Sequence, residues 1–218
     1  MIVGFVGFIG SGKDTAADYL VNFYGFRRDS FAATLKDAVA SVFGWDRELL
    51  EGRTKNAREW REQIDPWWSN RLNMPQLTPR LVLQLWGTEV CRKGFHDDIW
   101  IASVENKMRK TGDNIVISDV RFPNEIKAIH NAGGIVVRIK RGDNPEWYDA
   151  AVSVNAGPDG NATWSLSKAR LAQLKIHASE TAWVGGAIDH TVYNDTTIDA
   201  LFEQIKNLVI DPLAAKED

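Results

Sequence analysis

The residues best suited to chemistry stand near the beginning of the chain, in VGFIGSGKDT, Val6 to Thr15. Gly7, Gly10 and Gly12 allow a tight turn whose backbone amides face one set of phosphate oxygens, and the N-terminus of a following helix would add its dipole. Lys13 can reach the outer phosphates of a nucleoside triphosphate. A Ser or Thr hydroxyl usually follows such a lysine and ligates magnesium, but here Asp14 intervenes and the hydroxyl comes one place later, on Thr15. Hard oxygens suit Mg2+, so Asp14 and Thr15 are candidate ligands, directly or through water. A first-turn acid that merely favours the helix dipole is the plainer account of Asp14. Ser11, Gly12, Lys13, Asp14 and Thr15 are therefore the candidate triphosphate-binding residues.

A second constellation lies in ISDVRFPNE, Ile117 to Glu125. Asp119 follows a buried-strand pattern, where the carboxyl end of a parallel sheet opens to ligands, and a carboxylate there can hold a metal through water. Arg121 can give a bidentate grip on phosphate that a lysine cannot. Glu125 stands about one helical turn further on. A capped, salt-bridged turn is the structural alternative. In TPRLVLQLWGTEV, Arg80 and Gln84 are four apart and share a helical face, a guanidinium and an amide able to grip a phosphate and a base edge; a solvated face is the competing account. His96, His130, His177 and His190 have no zinc-ligand spacing, and no nucleophile elbow is present.

These residues need elements to hold them. Ile2 to Val6 reads as a strand buried on both faces, and Ala16, Ala17, Leu20, Val21 and Tyr24 follow helical spacing. This strand, glycine loop and helix order is the setting the loop motif requires. A short strand at Arg28 to Phe31, a helix from Thr34 to Phe43 stopped by Gly44, and strands at Ile115 to Ser118, Ile135 to Ile139 and in DHTVYND follow. Pro123 suits the first turn of a helix, and Thr196 to Val209 is a closing amphipathic helix. Residues 46–112 read as helices alone, with breaks near Pro66, Met74 to Pro79 and Gly94 to Asp97. Six of the nine tryptophans, Trp45, Trp60, Trp67, Trp68, Trp86 and Trp100, fall in this region, mostly as core. The polar segment 142–176, with Gly157, Pro158 and Gly160 at its middle, reads as a lid or insertion. Strands alternating with helices imply a parallel sheet covered on both sides.

A chain of 218 residues with 44% hydrophobic content can bury a core as one domain. Its net charge of −3 and pI near 5.8 disfavour a partner that is nucleic acid. Lone Cys91 makes no internal disulfide and fits a reducing, cytoplasmic setting. MIVGFVGFIG lacks the basic start of a signal peptide, and no uncharged run approaches the roughly 20 residues that cross a bilayer, so no membrane association is expected.

Taken in order, GSGKDTAAD, LKDAV, LQLWGTEV, DDIWI, ISDVRFPNE, HASE and VYND resemble the bacteriophage deoxynucleoside monophosphate kinase family, within the adenylate-kinase-like P-loop kinases. Lysine, one residue, then threonine is also how adenylate kinases end their loop. The likeness runs from near residue 4 to residue 195. It implies an α/β P-loop fold with three α/β/α layers and a central parallel five-stranded sheet. The core would comprise about residues 1–45, 113–141 and 177–210, with a helical acceptor-binding region at 46–112; segment 142–176 stays the lid or insertion that its polarity indicates, since no motif of the family falls in it. It implies transfer of the ATP γ-phosphoryl group to a deoxynucleoside monophosphate with Mg2+, in the cytoplasm of a host cell if the chain is phage-encoded, and leaves a homodimer open. Carried over by residue, it puts ATP on Ser11 to Thr15, Mg2+ near Asp14, Thr15 and Asp119, and catalysis on Lys13, Asp119 and Arg121. The monophosphate would meet Lys36, Arg80, Gln84, Gly87, Thr88, Trp100, Arg121 and Glu125, with Arg58 and Arg61 as weaker candidates. Arg138, Arg141 and Arg170 are candidate lid cations.

The lysine-aspartate loop is also similar to that of animal-type phosphomevalonate kinase, although LQLWGTEV with DDIWI looks closer to the phage enzymes. A nucleotide-binding module without transfer, or a nucleic-acid-associated ATPase, are the readings from other classes.

Overall fold

The computed structural model describes residues 1–158, 162–176 and 178–214; Gly160 of the insertion and His177 of HASE lie outside them. By compactness the chain divides into one unit of Met1–Ser30 with Glu105–Asp218, and another of Phe31–Val104.

The first unit is built on five parallel strands, β1 (Ile2–Val6), β2 (Arg27–Asp29), β3 (Ile115–Ile117), β4 (Ile135–Lys140) and β5 (His190–Tyr193), in the order β2-β3-β1-β4-β5. The expected five-stranded parallel α/β sheet is present. β1 lies at its centre and is buried along its whole length. Alternate residues of β1 serve different helices, as the two-residue period of a strand requires. Val3 and Phe5 pack with Ala16, Ala17 and Leu20 of the helix Lys13–Tyr24 and with Leu201 and Ile205 of the helix Ile198–Ile205. Gly4 faces the other way, against the helix Pro123–Asn131, where a Cβ would come within 2.4 Å of the Ile129 side chain. Helices thus cover both faces of the sheet. Pro123 does start its helix. The segment after β4, read as a lid or insertion, forms helices Tyr148–Ala156 and Ala162–Leu174 among its described residues. Among the described residues no helix is long and apolar enough to cross a membrane.

The second unit is helical: Ala33–Phe43, Arg47–Glu51, Lys55–Arg61, Pro66–Arg71 and Pro79–Gln84, the last continuing as a π-helix over Leu85–Lys93. The helix Ile99–Thr111 begins in it. Pro66 and Pro79 do not interrupt helices but open them. Each sits in the first turn behind a cap, Asp65 or Thr78, whose side chain accepts an amide that the helix leaves without a partner. Asp46 and Thr54 do the same for their helices. The core is Leu35, Val39, Phe43, Leu50, Leu77 and Val82, with Trp45, Trp60, Trp68, Trp86 and Trp100 packed around it. Trp67 is exposed instead.

Candidate active site

At the end of β1 the chain turns through Gly7, Gly10 and Gly12 with φ of 146°, 78° and 102°. Gly7 presses on β4 so closely that a Cβ would lie 2.4 Å from the Ile139 carbonyl oxygen, so backbone freedom and close approach both demand glycine there. Ser11 is buried, and its amide donates to the Phe8 carbonyl at 3.2 Å. The Lys13 ammonium folds back over the loop and donates to the carbonyls of Gly7 and Phe8, both at 2.8 Å. Burial pulls the Lys13 pKa below its ordinary value and Arg121 adds to the fall, while Asp14, Glu180 and Asp119 oppose it.

Lys13, Asp119 and Arg121 line one pocket, together with Gly7, Ile9, Val120, Glu180 and Trp183. The three proposed catalytic side chains are therefore neighbours. Asp14 points elsewhere: its Oδ1 pairs with Arg28 of β2 and accepts from the Ser118 hydroxyl at 2.9 Å, while Asp18, one turn on, accepts from Arg28 at 2.6 Å. Thr15 stands in the first turn of the same helix, and Gly12 is its left-handed N-cap. Glu125 is buried, and its Oε2 accepts the amides of Arg121 at 2.7 Å and Phe122 at 3.1 Å, which fixes the bend that carries Arg121.

In the second unit, Arg80, Gln84 and Thr88 are all exposed along one continuous helical path. Residues four apart in an α-helix drift by about 40° around the axis. The wider π turn makes a step of four fall short of a full turn, so the drift reverses after Gln84 and the three side chains stay close to one line. Gly87 is buried in the π-helix; a Cβ there would come within 2.8 Å of Leu35, and its carbonyl accepts the Trp100 indole N–H at 3.0 Å. Lys36 is bound to Glu51 at 2.8 Å, and Arg80 to Glu62 at 2.9 Å. Arg61 lies flat on Gly52, where a Cβ would come within 2.3 Å of its guanidinium. Burial lowers the Arg61 pKa, and the like charges of Arg80 and Arg58 lower it further.

Two polar residues to which residue types and spacing give no role stand beside the glycine loop. Glu180, of HASE, lines the Lys13 pocket. Asn194, of VYND, donates from Nδ2 to the Ser11 carbonyl at 2.9 Å and tethers the loop to the end of β5. Only the two strings themselves mark these positions, through the family resemblance.

No family model matches the chain. A protein of Acanthamoeba polyphaga mimivirus, provisionally named a deoxynucleotide monophosphate kinase, is 34% identical over 155 residues, spanning 65% of this chain and 74% of that relative. The deoxynucleoside-5′-monophosphate kinase of Escherichia phage T5 is 30% identical over 174 residues, spanning 57% of this chain and 70% of its own. The chain belongs to the deoxynucleoside monophosphate kinase family. Among solved structures, the chain is similar to shikimate kinase from Aquifex aeolicus over 99% of both chains, at 12% identity and a TM-score of 0.46. Membership in this kinase family agrees with the expected family and with the glycine loop at the mouth of a parallel sheet.

Proposed function

We propose that this kinase transfers the γ-phosphoryl group of ATP to a deoxynucleoside 5′-monophosphate, yielding ADP and a deoxynucleoside diphosphate. The observation that carries the reading is the half-buried Lys13 ammonium, held by loop carbonyls in one pocket with Asp119 and Arg121, in a chain whose relatives bear this activity in their names. An ammonium whose pKa is depressed by burial is stabilised when phosphate oxygens arrive beside it. The relatives favour a nucleotide acceptor over phosphomevalonate, and transfer over binding alone.

Phosphoryl transfer asks the protein mainly to align donor and acceptor oxygens and to compensate charge. Ser11 to Thr15 would hold the triphosphate on loop amides, with Lys13 on its outer phosphates and Arg121 on the transferring group. The acceptor oxygen is already ionised at neutral pH, so no strong base is needed. Arg80, Gln84, Gly87, Thr88, Trp100, Lys36 and Glu125 are the residues proposed for the monophosphate. Arg58 and Arg61 are weaker candidates for the same monophosphate, Arg61 standing among the charges of Arg80, Glu62, Glu51 and Arg58. Segment 142–176 is the proposed lid that keeps water from the transfer.

The donors near the loop fit Mg2+, since the Thr15 hydroxyl and the carboxylates of Asp14 and Asp119 are all hard oxygens. Among the described residues no cluster of three or more His, Cys, Asp or Glu side chains is arranged to hold a metal. When bound, Mg2+ neutralises charge on the phosphates. Asp119 and Thr15 would orient it, while Asp14, committed to Arg28 and Ser118, would act through water.

The test is a coupled ADP-release assay over deoxy- and ribonucleoside monophosphates, with phosphomevalonate included and EDTA as a control. ADP release that needs a deoxynucleoside monophosphate and stops on chelation supports the proposal. Release with phosphomevalonate alone, or with no acceptor in the panel, overturns it.

A further inference from the structure

Arg138 is a buried cation with neutral partners. It lies on β4 in register with Val6, the last residue before the glycine loop, and is 8% exposed. Its Nη1 donates to the Tyr148 hydroxyl at 2.9 Å and its Nη2 to Asn144 Oδ1 at 2.6 Å, while Nε is buried with no partner among the described residues. No carboxylate among the described residues forms an ion pair with it. Three rings surround the guanidinium carbon, Tyr148 at 4.9 Å, Trp183 at 5.3 Å and Phe8 at 5.9 Å.

Burying a guanidinium carries a desolvation cost that neutral acceptors offset only in part, and a Met or Leu at this site would fill the same space without it. Packing alone therefore does not account for the residue. What it touches does. Phe8 belongs to the glycine loop, and its ring also meets Trp147 edge-on at 5.4 Å and Trp183 at 5.0 Å. The Phe8 carbonyl accepts both the Lys13 ammonium and the Ser11 amide. A ring held by a cation and two indoles fixes the peptide unit that carries this carbonyl.

We infer that Arg138 is a positioning residue for ATP: its guanidinium, oriented by Asn144 and Tyr148, clamps the Phe8 ring and thereby sets the loop carbonyl on which Lys13 rests. The same contacts fasten the start of the segment after β4 to the glycine loop, so order at Asn144 to Tyr148 and order in the loop are coupled. This inference rests on the reading that the loop binds ATP. Arg138 is a candidate lid cation by sequence; its place in β4 and its burial give it this role under the loop instead.

The experiment is a mutant cycle on the full chain with Arg138→Met, Phe8→Leu and the double variant. Arg138→Lys serves as the conservative control. ATP dissociation constants are read from tryptophan fluorescence, since Trp147 and Trp183 flank Phe8, and KM is measured separately for ATP and for the acceptor. Arg138→Met is expected to weaken ATP binding about tenfold while leaving the acceptor KM within twofold. The double variant should be no weaker than the worse single one, and Arg138→Lys should recover part of the loss. Should Arg138→Met not fold, Tyr148→Phe replaces it in the cycle and carries the same expectation. ATP affinity unchanged in Arg138→Met, effects that multiply in the double variant, or equal rises in both KM values overturn the inference. A wild-type chain that binds no ATP would sink the underlying reading and this inference together.

Discussion

The Lys13 ammonium lies 2.8 Å from the carbonyl oxygen of Gly7, six residues earlier in the same loop. A cation held by neutral carbonyls, in a place that lowers its pKa through burial, is poised to exchange those partners for phosphate oxygens. Lys13→Ala should lower turnover by about 10²-fold or more, because charge compensation is most of what phosphoryl transfer needs from the protein. Circular dichroism should be unchanged. Lys13→Arg should not restore activity, since a planar fork does not replace a compact ammonium at this spacing. Near-normal ADP release from Lys13→Ala would contradict the assignment.

Glu51 joins two cations in the second unit, accepting from Lys36 at 2.8 Å and from Arg47 at 2.6 Å. Burial alone would raise its pKa, but these hydrogen bonds and charges bring it down to about 2 from an ordinary 4.5. A carboxyl depressed on folding contributes stability that is full above its unfolded pKa and is lost as pH falls toward its folded one. The loss should therefore develop between about pH 4.5 and pH 2. Glu51→Gln should destabilise the protein by about 1–3 kcal/mol at pH 7. That difference should shrink by pH 3, as followed by urea unfolding at several pH values. A constant difference across the range would assign the effect to packing rather than charge.

These pairings also mark where sequence reading stops. Strands β1, β3 and β4 announce themselves as short β-branched runs, and the glycine loop by positions that need positive φ, because both signals are local. The Asp65-Pro66 and Thr78-Pro79 pairs are local too, as caps followed by first-turn prolines, but proline read as a break hides them. Register within a helix is different. Nothing in LWGTEVCRK separates a π-helix from an α-helix, because the change is in backbone hydrogen bonding and not in residue spacing. Contacts across long stretches are equally silent. Asn194 reaches Ser11 over 183 residues, Lys36 finds Glu51 over 15, and the rings around Arg138 gather from Phe8, Tyr148 and Trp183. The residue types that could do chemistry are thus visible before their partners are.

Trp100 offers a test of the π-helical segment. Its indole N–H is the donor to Gly87, and Trp100→Phe keeps an aromatic ring while leaving that carbonyl without this partner. The change should cost about 1 kcal/mol in stability. If Gly87 and Thr88 touch the acceptor, the acceptor KM should rise several-fold and the ATP KM should stay put. Equal change in both constants would point to a general loosening of the unit instead.

Arg80 is exposed, and its visible partner, Glu62, is exposed as well, an arrangement that contributes little to folding. Arg80→Ala should therefore leave the melting temperature within a few degrees of wild type, whereas removing a guanidinium that grips the acceptor phosphate should raise the acceptor KM by about tenfold or more. Glu62→Gln separates the two accounts, because it frees the guanidinium without removing it. Acceptor binding should then hold or improve, since a competing carboxylate is gone. If Arg80→Ala leaves the acceptor constants untouched, or if Glu62→Gln impairs them as much as Arg80→Ala does, the ion pair itself is what matters and Arg80 does not hold the acceptor.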